Sequence, residues 1–419
     1  MTDIIDELQW RGLIAQHTDM DALRSELARG PVTFYCGFDP TAPSLHHGHL
    51  VQVLMMRHLQ KAGHKPIALV GGATGLIGDP RMKGERQLHS KETVASWVEK
   101  LRQQIGHFLD FEGDNAAIMV NNLDWIGQLS AIDLLRGLGK HFRMGTMLAK
   151  DAVAKRLSSE EGISYTEFSY QVLQAYDFLE LFRRYGCRLE TGGNDQWGNL
   201  VGGMDLIHKT EGESVHVLTT PLITKADGTK FGKSEGGAIW LNPEMMSPYA
   251  FYQFWLTAED ADVVRFLKVF TFLDRAEIEE LEQATEKAPH QRKAQRRLAE
   301  EVTRMVHGDE ATAKVLAATE ALWGKGELSA VDADTLGAAV EHLPSAKLNP
   351  GESTLVDLLV ETGLEKGRGA ARRTLSQGGV YLNNVKVSEE DRVVTQADLL
   401  AGGRVLIRKG KRNLAVATA

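Results

Sequence analysis

The spacing of apolar residues along the first half of the chain alternates between the period of a helix and that of a strand. Residues 4–13 carry a helical pattern, and residues 32–38 form an apolar run rich in β-branched and aromatic side chains, which predicts a first strand. A helix over 49–62 and a buried strand over 66–72 follow. The same patterns predict further helices over 91–108 and through Leu135 and Leu173, and further strands at 117–120, near Arg188 and at 215–218.

This alternation favours an α/β fold built on a doubly wound, Rossmann-like sheet of mainly parallel strands. Ligands in such sheets bind beyond the carboxyl ends of the strands. The loops that follow the predicted strands should therefore carry the chemistry, and residues 1–247 are predicted to form a Rossmann-like catalytic domain.

The second half of the chain has a different pattern. From 248 to 323 the strand signals vanish and apolar residues follow helical spacing, which predicts an all-α domain. Residues 324–351 contain glycines, scattered polar residues and two prolines, and are predicted to be a linker. Residues 352–419 predict a small α+β domain with short helices and a hairpin that turns at Asn383-Asn384.

The composition, 43% hydrophobic and 25% charged over 419 residues, is that of an ordinary globular protein with more than one domain. The first residues lack the basic start and apolar core of a signal peptide, and no apolar run approaches the roughly 20 residues needed to span a bilayer. A cytoplasmic protein without a membrane anchor is expected. The two cysteines, Cys36 and Cys187, are too few for a disulfide framework or a cysteine-based zinc site.

Charge is distributed unevenly along the chain. The net charge is −8, but residues 353–419 hold 11 Lys and Arg against 7 Asp and Glu, so this part carries +4 and the rest −12. A basic terminal module on an acidic body is typical of contact with a phosphate backbone, although a small domain that merely happens to be basic is the alternative.

A histidine motif follows the first predicted strand. His46 and His49 stand three residues apart, with Gly48 between them, at the start of the next helix. This spacing puts both imidazoles on one face beside free helix N–H groups, which suits a phosphate, and the glycine leaves room for a purine ring. The alternatives are uninvolved surface histidines and a zinc site. No carboxylate or cysteine pattern completes a zinc site, so no tightly bound, protein-ligated metal is expected.

A lysine loop follows the last predicted strand, with Lys230 and Lys233 three residues apart on either side of a glycine. Two cations on such a loop can swing onto a polyphosphate and stabilise the charge that grows as pyrophosphate leaves. Taken alone, a lysine-rich loop is more often a solvated surface loop.

Together the two motifs resemble the signature sequences of class I aminoacyl-tRNA synthetases, His-Ile-Gly-His and Lys-Met-Ser-Lys-Ser. They read His-His-Gly-His at 46–49 and Lys-Phe-Gly-Lys-Ser at 230–234. His47 replaces an aliphatic residue, and Phe-Gly replaces Met-Ser, a variation typical of the tyrosine enzymes. Segments similar to those of bacterial tyrosyl-tRNA synthetases lie at 35–41, 169–178 and 191–199.

The resemblance, which runs through essentially the whole chain, implies a tyrosine--tRNA ligase that acts as a homodimer. Such an enzyme activates L-tyrosine with ATP and Mg²⁺ to tyrosyl-adenylate and pyrophosphate, and then transfers tyrosine to the 3′ end of tRNA(Tyr). The first step needs neither a protein nucleophile nor a dedicated general base. Catalysis would rest on positioning and charge stabilisation by His46, His49, Lys230 and Lys233.

A polar stripe on an otherwise apolar helix supplies candidate contacts to the amino acid. Tyr170, Gln174 and Asp177 lie at i, i+4 and i+7, on one face. Buried polar groups need partners, and these are either a substrate or an internal network. The family's pattern implies that Tyr35 and Asp177 bind the substrate phenol, that Asp79, Tyr170 and Gln174 bind its ammonium group, and that Gln196 lies near its carboxylate.

The ATP site implied by the resemblance lies on the same strand-end loops. The glycine-rich stretch 71–78 does not compete as a Walker or dinucleotide-binding loop, because it lacks the Gly-Lys-Ser ending and its glycines miss the spacing. The residues implied to contact ATP are Cys36, Gly37, Asp39, Thr41, Gly48, Lys83, Arg86, Gly193, Asp195, Lys233 and Ser234.

The C-terminal part resembles an S4-type RNA-binding domain. In the family this module grips tRNA, and the helical domain before it contributes to anticodon recognition. Positive groups around a hairpin suit structured RNA. The residues implied to bind RNA are Lys366, Arg368, Arg372, Arg373 and Lys386.

Two other functions compete with this interpretation. A class I synthetase for tryptophan, or a nucleotidyltransferase, would share the histidine motif, but the Tyr35 and Asp177 pair and the S4-like tail disfavour both. A synthetase-derived RNA-binding or RNA-splicing protein would have lost catalysis. The intact histidine and lysine motifs disfavour that loss.

Overall fold

The computed structural model describes residues 3–81, 84, 87–229, 231–232, 237–324 and 326–419. The predicted site residues Lys83, Arg86, Lys230, Lys233 and Ser234 lie outside these ranges. Contacts divide the chain into two compact units, one formed by Met1–Met245 with Ala258–Leu298, the other by Met246–Thr257 with Ala299–Ala419.

The first 245 residues alternate between helices and strands, as the apolar pattern predicts. Residues Asp133–Leu138 form a π-helical turn, where the pattern predicts an ordinary helix. The elements are α1 (Ile4–Trp10), α2 (Met20–Arg29), β1 (Thr33–Phe38), α3 (His47–Lys61), β2 (Lys65–Val70), α4 (Thr74–Ile77), α5 (Lys91–Gly106), β3 (Ile118–Asn121), α6 (Leu123–Ile126), α7 (Met144–Leu148), α8 (Asp151–Leu157), α9 (Tyr165–Tyr185), β4 (Leu189–Gly193), α10 (Trp197–Glu211) and β5 (His216–Thr220).

The remaining chain is helical and then mixed. A break interrupts the long helix α14 at Gly308, whose φ of 84° is left-handed. The elements are α11 (Pro248–Leu256), α12 (Asp260–Phe270), α13 (Arg275–Lys287), α14 (Lys293–Leu322), α15 (Ala333–Val340), β6 (Ser345–Lys347), α16 (Leu355–Glu361), α17 (Arg368–Ser376), β7 (Val380–Leu382), β8 (Val385–Val387), β9 (Arg404–Lys409) and β10 (Asn413–Thr418).

Five parallel strands in the order β3-β2-β1-β4-β5 form the sheet of the first unit, which confirms the doubly wound α/β fold. The strands are largely buried, as expected for a parallel sheet with helices on both faces; every residue of β5 is buried. The chain winds outward from β1 in one direction and from β4 in the other. This reversal leaves a crevice at the carboxyl ends of β1 and β4, where a ligand of such a sheet binds.

Helix α9 carries the predicted polar stripe along the sheet. It begins at Ser164, whose hydroxyl accepts the N–H of Glu167, and ends at Gly186, whose φ of 62° is left-handed. Its apolar positions, among them Phe178 and Leu181, are fully buried in the core. The polar residues of the stripe are therefore held at fixed positions by the packing of the helix.

Helices α12 and α13 belong to the first compact unit, although the sequence places them in a separate all-α domain. The guanidinium of Arg11, at the end of α1, donates to the carbonyl oxygens of Thr271 (2.8 Å) and Leu273 (2.7 Å). Phe266 and Phe270 of α12 are buried against this unit. The spacing of apolar residues along the chain cannot reveal these long-range contacts. The functional division of the chain at residue 247 stays a prediction.

The second unit contains the predicted hairpin and a second sheet, with the strand order β6-β10-β9-β7-β8. Asn383 and Asn384 have φ of 48° and 67°, the left-handed pair that a two-residue hairpin turn requires. Residues 324–351, predicted to be a linker, contain α15 and β6. β6 is only three residues long and is defined by its pairing with the distant β10, so local periodicity does not reveal it; the linker assignment stays a prediction.

A buried ion pair anchors the segment between β3 and α9. The side chains of Arg156 and Glu167 are 1% and 2% exposed, and their charges meet at 2.8 Å. Arg156 also donates to the carbonyl oxygens of Gly162 (2.9 Å) and Gly84 (2.8 Å). The guanidinium thus ties α8 to the loop that follows β2.

We expect Arg156→Ala to destabilise the protein by about 3–5 kcal/mol, because it removes a buried positive charge that lies directly against the Glu167 carboxylate. The melting temperature should fall by about 10 °C, measured by circular dichroism. The control is Arg183→Ala, which removes a largely exposed arginine paired with Glu211 and should cost at most about 1 kcal/mol. Equal melting temperatures for the two variants would contradict the expectation.

Candidate active site

The histidine motif caps helix α3. The ring of His46 accepts the N–H of Gly48 at its Nδ1 (3.0 Å), and His49 Nδ1 accepts the N–H of His46 (3.2 Å). The two rings are stacked, with centroids 4.0 Å apart. Since both Nδ1 atoms accept hydrogen bonds, the proton of each neutral imidazole lies on Nε2. Each ring can therefore donate one N–H to a phosphate oxygen.

Burial keeps these imidazoles neutral. It lowers the pKa of His46 and lowers the pKa of His49 well below its usual value, with the neighbouring imidazole of His46 adding to the effect on His49. At neutral pH the pair supplies hydrogen-bond donors, not cations. Gly48 is needed for the cap itself: a Cβ there would lie 2.9 Å from Cε1 of His46.

The middle histidine of the motif contacts the lysine loop. The ring of His47 meets Phe231 edge to face, with centroids 5.4 Å apart. A Cβ on Gly232, whose φ is 81°, would come within 2.0 Å of the His47 ring. Phe231 also packs against Phe266 of α12, with centroids 4.3 Å apart. The two signature sequences are thus in contact through His47 and Phe231.

The predicted phenol-binding pair lies at the base of the crevice. Asp177, 2% exposed, accepts from Trp125 Nε1 (2.7 Å) and from Asn122 Nδ2 (3.0 Å). Tyr35 is 1% exposed, and its hydroxyl has no hydrogen bond of standard geometry to any described residue. Burial raises the pKa of Asp177 to about 8, against the opposing effect of its two donors. A buried hydroxyl and a buried carboxyl group of this kind can donate to and accept from a ligand hydroxyl.

A chain of hydrogen bonds links Asp177 to the predicted nucleotide side. Asn122 donates to the hydroxyl of Thr74 (2.9 Å), which donates to Asp39 Oδ1 (2.6 Å). The other carboxylate oxygen of Asp39 accepts from the hydroxyl of Tyr170 (2.8 Å). Tyr170, predicted to bind an ammonium group, thus contacts a residue predicted to face ATP.

A second network surrounds Asp79. Its carboxylate accepts from Gln196 Nε2 and from Asn199 Nδ2, each at 3.1 Å. Lys150 donates to Asn199 Oδ1 (3.1 Å), and burial lowers the pKa of this lysine to about 8. Two residues with predicted roles at the amino-acid backbone, Asp79 and Gln196, are therefore in direct contact.

Gln174 is the third residue predicted at the ammonium group; its Oε1 has no hydrogen-bond partner among the described residues, and the predicted role stays a prediction. Its side-chain amide faces Glu190 on β4, with Nε2 3.4 Å from the carboxylate. It therefore sits next to the phenol end of the crevice in this arrangement.

The predicted ATP residues lie where β1 and β4 end. Gly37 is exposed inside an otherwise buried strand, so the crevice opens at this point of β1. Cys36 is buried beside it, and burial raises the pKa of its thiol to about 12. Thr41 donates its N–H to the carbonyl of Asp39 (2.9 Å). Gly193 ends β4, and a Cβ there would lie 2.6 Å from the carboxylate of Asp195.

Sequence reasoning missed five polar residues of this region. Asn122 follows the end of β3, so the rule that strand-end loops carry chemistry could have singled it out. No local signal marks the others, because their roles arise from contacts between distant segments. The other four residues are Trp125, Lys150, Glu190 and Asn199.

Within the ranges that the structure describes, no three His, Cys, Asp or Glu residues are grouped closely enough to hold a metal ion. The described helices include none with the length and apolar character to cross a membrane.

Comparisons with known proteins identify the family of this chain. Residues 27–324 match the family described as "tRNA synthetases class I (W and Y)", and residues 335–417 match the "Tyrosine--tRNA ligase SYY-like C-terminal domain". The first family includes tryptophan enzymes, whereas the second is specific to tyrosine.

Similar proteins are tyrosine enzymes. The tyrosine--tRNA ligase of Streptomyces coelicolor is 62% identical over 416 residues, which cover 99% of this chain and 98% of that protein. The ligase of Nocardia farcinica is 56% identical over 420 residues, with coverage of 99% and 98%. The crystal structure of a C-terminally truncated mitochondrial tyrosyl-tRNA synthetase from Coccidioides posadasii has a TM-score of 0.66 and 33% identity, covering 75% of this chain and 91% of that one.

These matches decide against the tryptophan alternative. Because the class I model covers well over half of the sequence and tyrosine enzymes match it almost end to end, the chain belongs to the bacterial-type tyrosyl-tRNA synthetases, a family of ATP-dependent tyrosine--tRNA ligases.

Proposed function

We propose that this chain activates L-tyrosine with ATP and transfers it to the 3′ end of tRNA(Tyr), with the crevice at the ends of β1 and β4 as the site of both steps. The observation that carries this assignment is the buried pair Tyr35 and Asp177. A hydroxyl group and a carboxyl group are both buried there, as recognition of a phenol requires, and hydrogen bonds connect Asp177 to Asp39 on the nucleotide side.

In the first step, the tyrosine carboxylate attacks the α-phosphorus of ATP, forming tyrosyl-adenylate as the bond to pyrophosphate breaks. The Nε2–H donors of His46 and His49 bind the phosphate oxygens on which charge accumulates, and they need no reorganisation because the cap of α3 holds both rings. Mg²⁺ enters with ATP as part of the substrate. Lys230, Lys233, Lys83 and Arg86 are assigned to the polyphosphate by family resemblance.

The amino acid lies with its phenol toward Asp177 and its ammonium group toward Asp79 and Tyr170. Gln196, which donates to Asp79, is assigned to the tyrosine carboxylate by family resemblance. The nucleotide faces the open part of β1. Its contacts are assigned to Cys36, Gly37, Asp39, Thr41, Gly48, Gly193, Asp195 and Ser234.

The direct test of the whole reaction is aminoacylation of purified tRNA(Tyr) with labelled tyrosine. Charging of that tRNA with tyrosine, and not of tRNA(Trp) with tryptophan, is expected. A chain that binds tRNA(Tyr) but forms no ester would instead be the RNA-binding protein that has lost catalysis.

The S4-like domain is proposed to hold tRNA through its exposed basic side chains. Lys366, Arg368, Arg372, Arg373 and Lys386 are all exposed. Arg368 is paired with Asp357 at 2.7 Å, so its contribution is partly neutralised. Residues 248–323 are assigned to anticodon recognition on family resemblance.

We expect the double variant Arg372→Ala/Arg373→Ala to raise KM for tRNA by about tenfold at moderate salt. The slope of log KM against log salt concentration should fall by about 2, because each lost phosphate contact means about one fewer counter-ion released on binding. Tyrosine-dependent pyrophosphate exchange, which needs no tRNA, should stay unchanged. The control is Arg29→Ala, an exposed arginine on α2. An unchanged salt slope would remove these arginines from the tRNA site.

A homodimer is proposed on the basis of exposed apolar side chains concentrated in one segment of the first unit. Ile132 and Tyr165 are each 68% exposed, and Leu135 is 59% exposed. Leu123, Met144 and Leu157 of the same segment are also exposed. A partner that covers this segment would remove their apolar surface from water.

Sedimentation analysis tests the dimer. The unaltered chain is expected to sediment as a dimer and the double variant Ile132→Glu/Leu135→Glu as a monomer, because each substitution would bury a charge in the interface. A monomeric unaltered chain would refute the assignment.

A cytoplasmic location is proposed as well, since protein synthesis takes place there.

A further inference from the structure

A second buried carboxyl group lies at the base of the crevice. Glu190 on β4 is 2% exposed and stands directly opposite Tyr35 in the pairing of β4 with β1. The predicted roles of the crevice residues do not account for it. A carboxyl group this deeply buried needs either a counter-ion or a proton.

The hydrogen bonds distinguish the two carboxyl groups. Asp177 accepts two short bonds, from Trp125 (2.7 Å) and Asn122 (3.0 Å). Glu190 accepts one long bond, from Gln174 Nε2 (3.4 Å), and its carboxyl group interacts with the Tyr35 hydroxyl without a hydrogen bond of standard geometry at Oε2. Donors stabilise the charged form of a carboxyl group, so the negative charge belongs on Asp177 and the proton on Glu190.

We propose that Glu190 is a positioning residue for tyrosine recognition, whose protonated carboxyl donates to the Tyr35 hydroxyl and thereby directs the Tyr35 hydrogen onto the substrate phenol oxygen. The phenol then donates its own hydrogen to Asp177. Three hydrogen bonds then run from Glu190 to Tyr35, from Tyr35 to the substrate phenol and from the phenol to Asp177. Each of the two hydroxyl groups accepts one bond and donates one, and the negative charge lies on Asp177. The inference rests on the proposed roles of Tyr35 and Asp177.

The surroundings of Glu190 support this protonation state. Burial, with a smaller contribution from the charge of Asp177, raises the pKa of Glu190 to about 8, against the opposing effect of hydrogen bonds with Tyr35 and Gln174. The other titratable groups that act on Glu190 or respond to it are Tyr35 and Cys36 on β1 and Cys187 before β4, and none of these is a cation. The pKa of Asp177 is also raised to about 8, so the hydrogen bonds decide which group carries the charge: Asp177 has two short donors, and Glu190 keeps its proton until the pH approaches 8. Above that pH it loses its donor hydrogen and adds a second negative charge beside Asp177.

Glu190→Gln provides the test, because its amide keeps a donor at every pH. The measured quantity is kcat/KM for tyrosine in pyrophosphate exchange between pH 6.5 and 9. Dividing kcat/KM of the unaltered enzyme by kcat/KM of the variant removes the pH dependence that comes from the substrate ammonium group, since both enzymes share it. This ratio is expected to be near one at pH 7 and to fall about tenfold by pH 9, through KM, as one group of pKa about 8 ionises. A ratio independent of pH would overturn the inference.

A double-mutant cycle separates this inference from the proposed site. Methionine has a volume similar to that of glutamate but no hydrogen-bond donor, so Glu190→Met is expected to lower kcat/KM for tyrosine about tenfold at pH 7. The same substitution should have no further effect on kcat/KM in a protein that already carries Tyr35→Phe. Equal effects in both backgrounds would show that Glu190 does not act through Tyr35. If Tyr35→Phe leaves the selectivity for tyrosine over phenylalanine unchanged, the phenol site itself is wrong. KM for ATP and the melting temperature of each variant check that the fold is intact.

Discussion

Asp177→Asn is expected to lower kcat/KM for tyrosine by about two to three orders of magnitude, the largest effect of any substitution in the amino-acid site. The carboxylate accepts from Trp125 and Asn122 in the protein and has to accept from the substrate phenol as well. An amide in its place turns an NH₂ group toward one of these donors and carries no charge. Losing a buried, charge-assisted hydrogen bond and leaving a donor unpaired costs about 3–4 kcal/mol together.

The selectivity of the variant should change with its activity. Phenylalanine has no hydroxyl, so its exchange rate does not depend on the phenol contact, and the preference for tyrosine should shrink by the same factor. The control is Asp205→Asn on α10, where an exposed aspartate pairs with Lys209 on the same helix and the substitution should leave activity unchanged. A loss smaller than about tenfold in Asp177→Asn would mean that the phenol binds elsewhere.

His49→Ala is expected to lower kcat of tyrosine activation by about a hundredfold with little change in KM for tyrosine, because it removes one of two preorganised donors to the phosphate. His49→Gln keeps an N–H donor and should recover part of the loss. The cap of α3 weakens in both variants, since His49 Nδ1 accepts the N–H of His46, so a small drop in melting temperature is expected. His17→Ala, an exposed histidine, is the control.

The pH dependence of the same step distinguishes neutral imidazoles from imidazolium ions. Burial lowers the pKa of both His46 and His49, so neither should gain a proton as the pH falls through the usual value of 6.5. We expect kcat to show no decline centred near pH 6.5. A rise in kcat below that pH, as the rings become cationic, would contradict the role of neutral donors.

The sequence predicts those parts of the site whose geometry is local. His46 and His49 are three residues apart at a helix start, so their stacking follows from helix geometry once the helix is known. Tyr170, Gln174 and Asp177 share a helix face for the same reason. The parallel sheet also follows from alternation of apolar runs, because the order of helices and strands restricts the topology.

Contacts between distant segments are what the sequence alone does not reveal. Glu190 becomes important only because β4 pairs with β1 and sets it opposite Tyr35, 155 positions earlier in the numbering. Trp125 and Asn122 bind Asp177 across about 50 residues, and no periodicity records that. The same limit explains α12: its apolar face is visible in the sequence, but the surface that it covers is not.

His47 shows how a departure from a signature sequence can be explained by packing. An aromatic ring there fits against Phe231 and against a glycine that has no Cβ to clash with it. The two departures from the class I signatures, His47 and Phe231-Gly232, are thus in contact with each other.

The crevice at the ends of β1 and β4 is assigned to the activation of tyrosine. Exchange of labelled pyrophosphate into ATP, run separately with tyrosine, phenylalanine and tryptophan, tests it most directly. Exchange with tyrosine, and far less with the other two, is the predicted result. Exchange that depends on tryptophan, or no exchange with any of the three, would contradict the account.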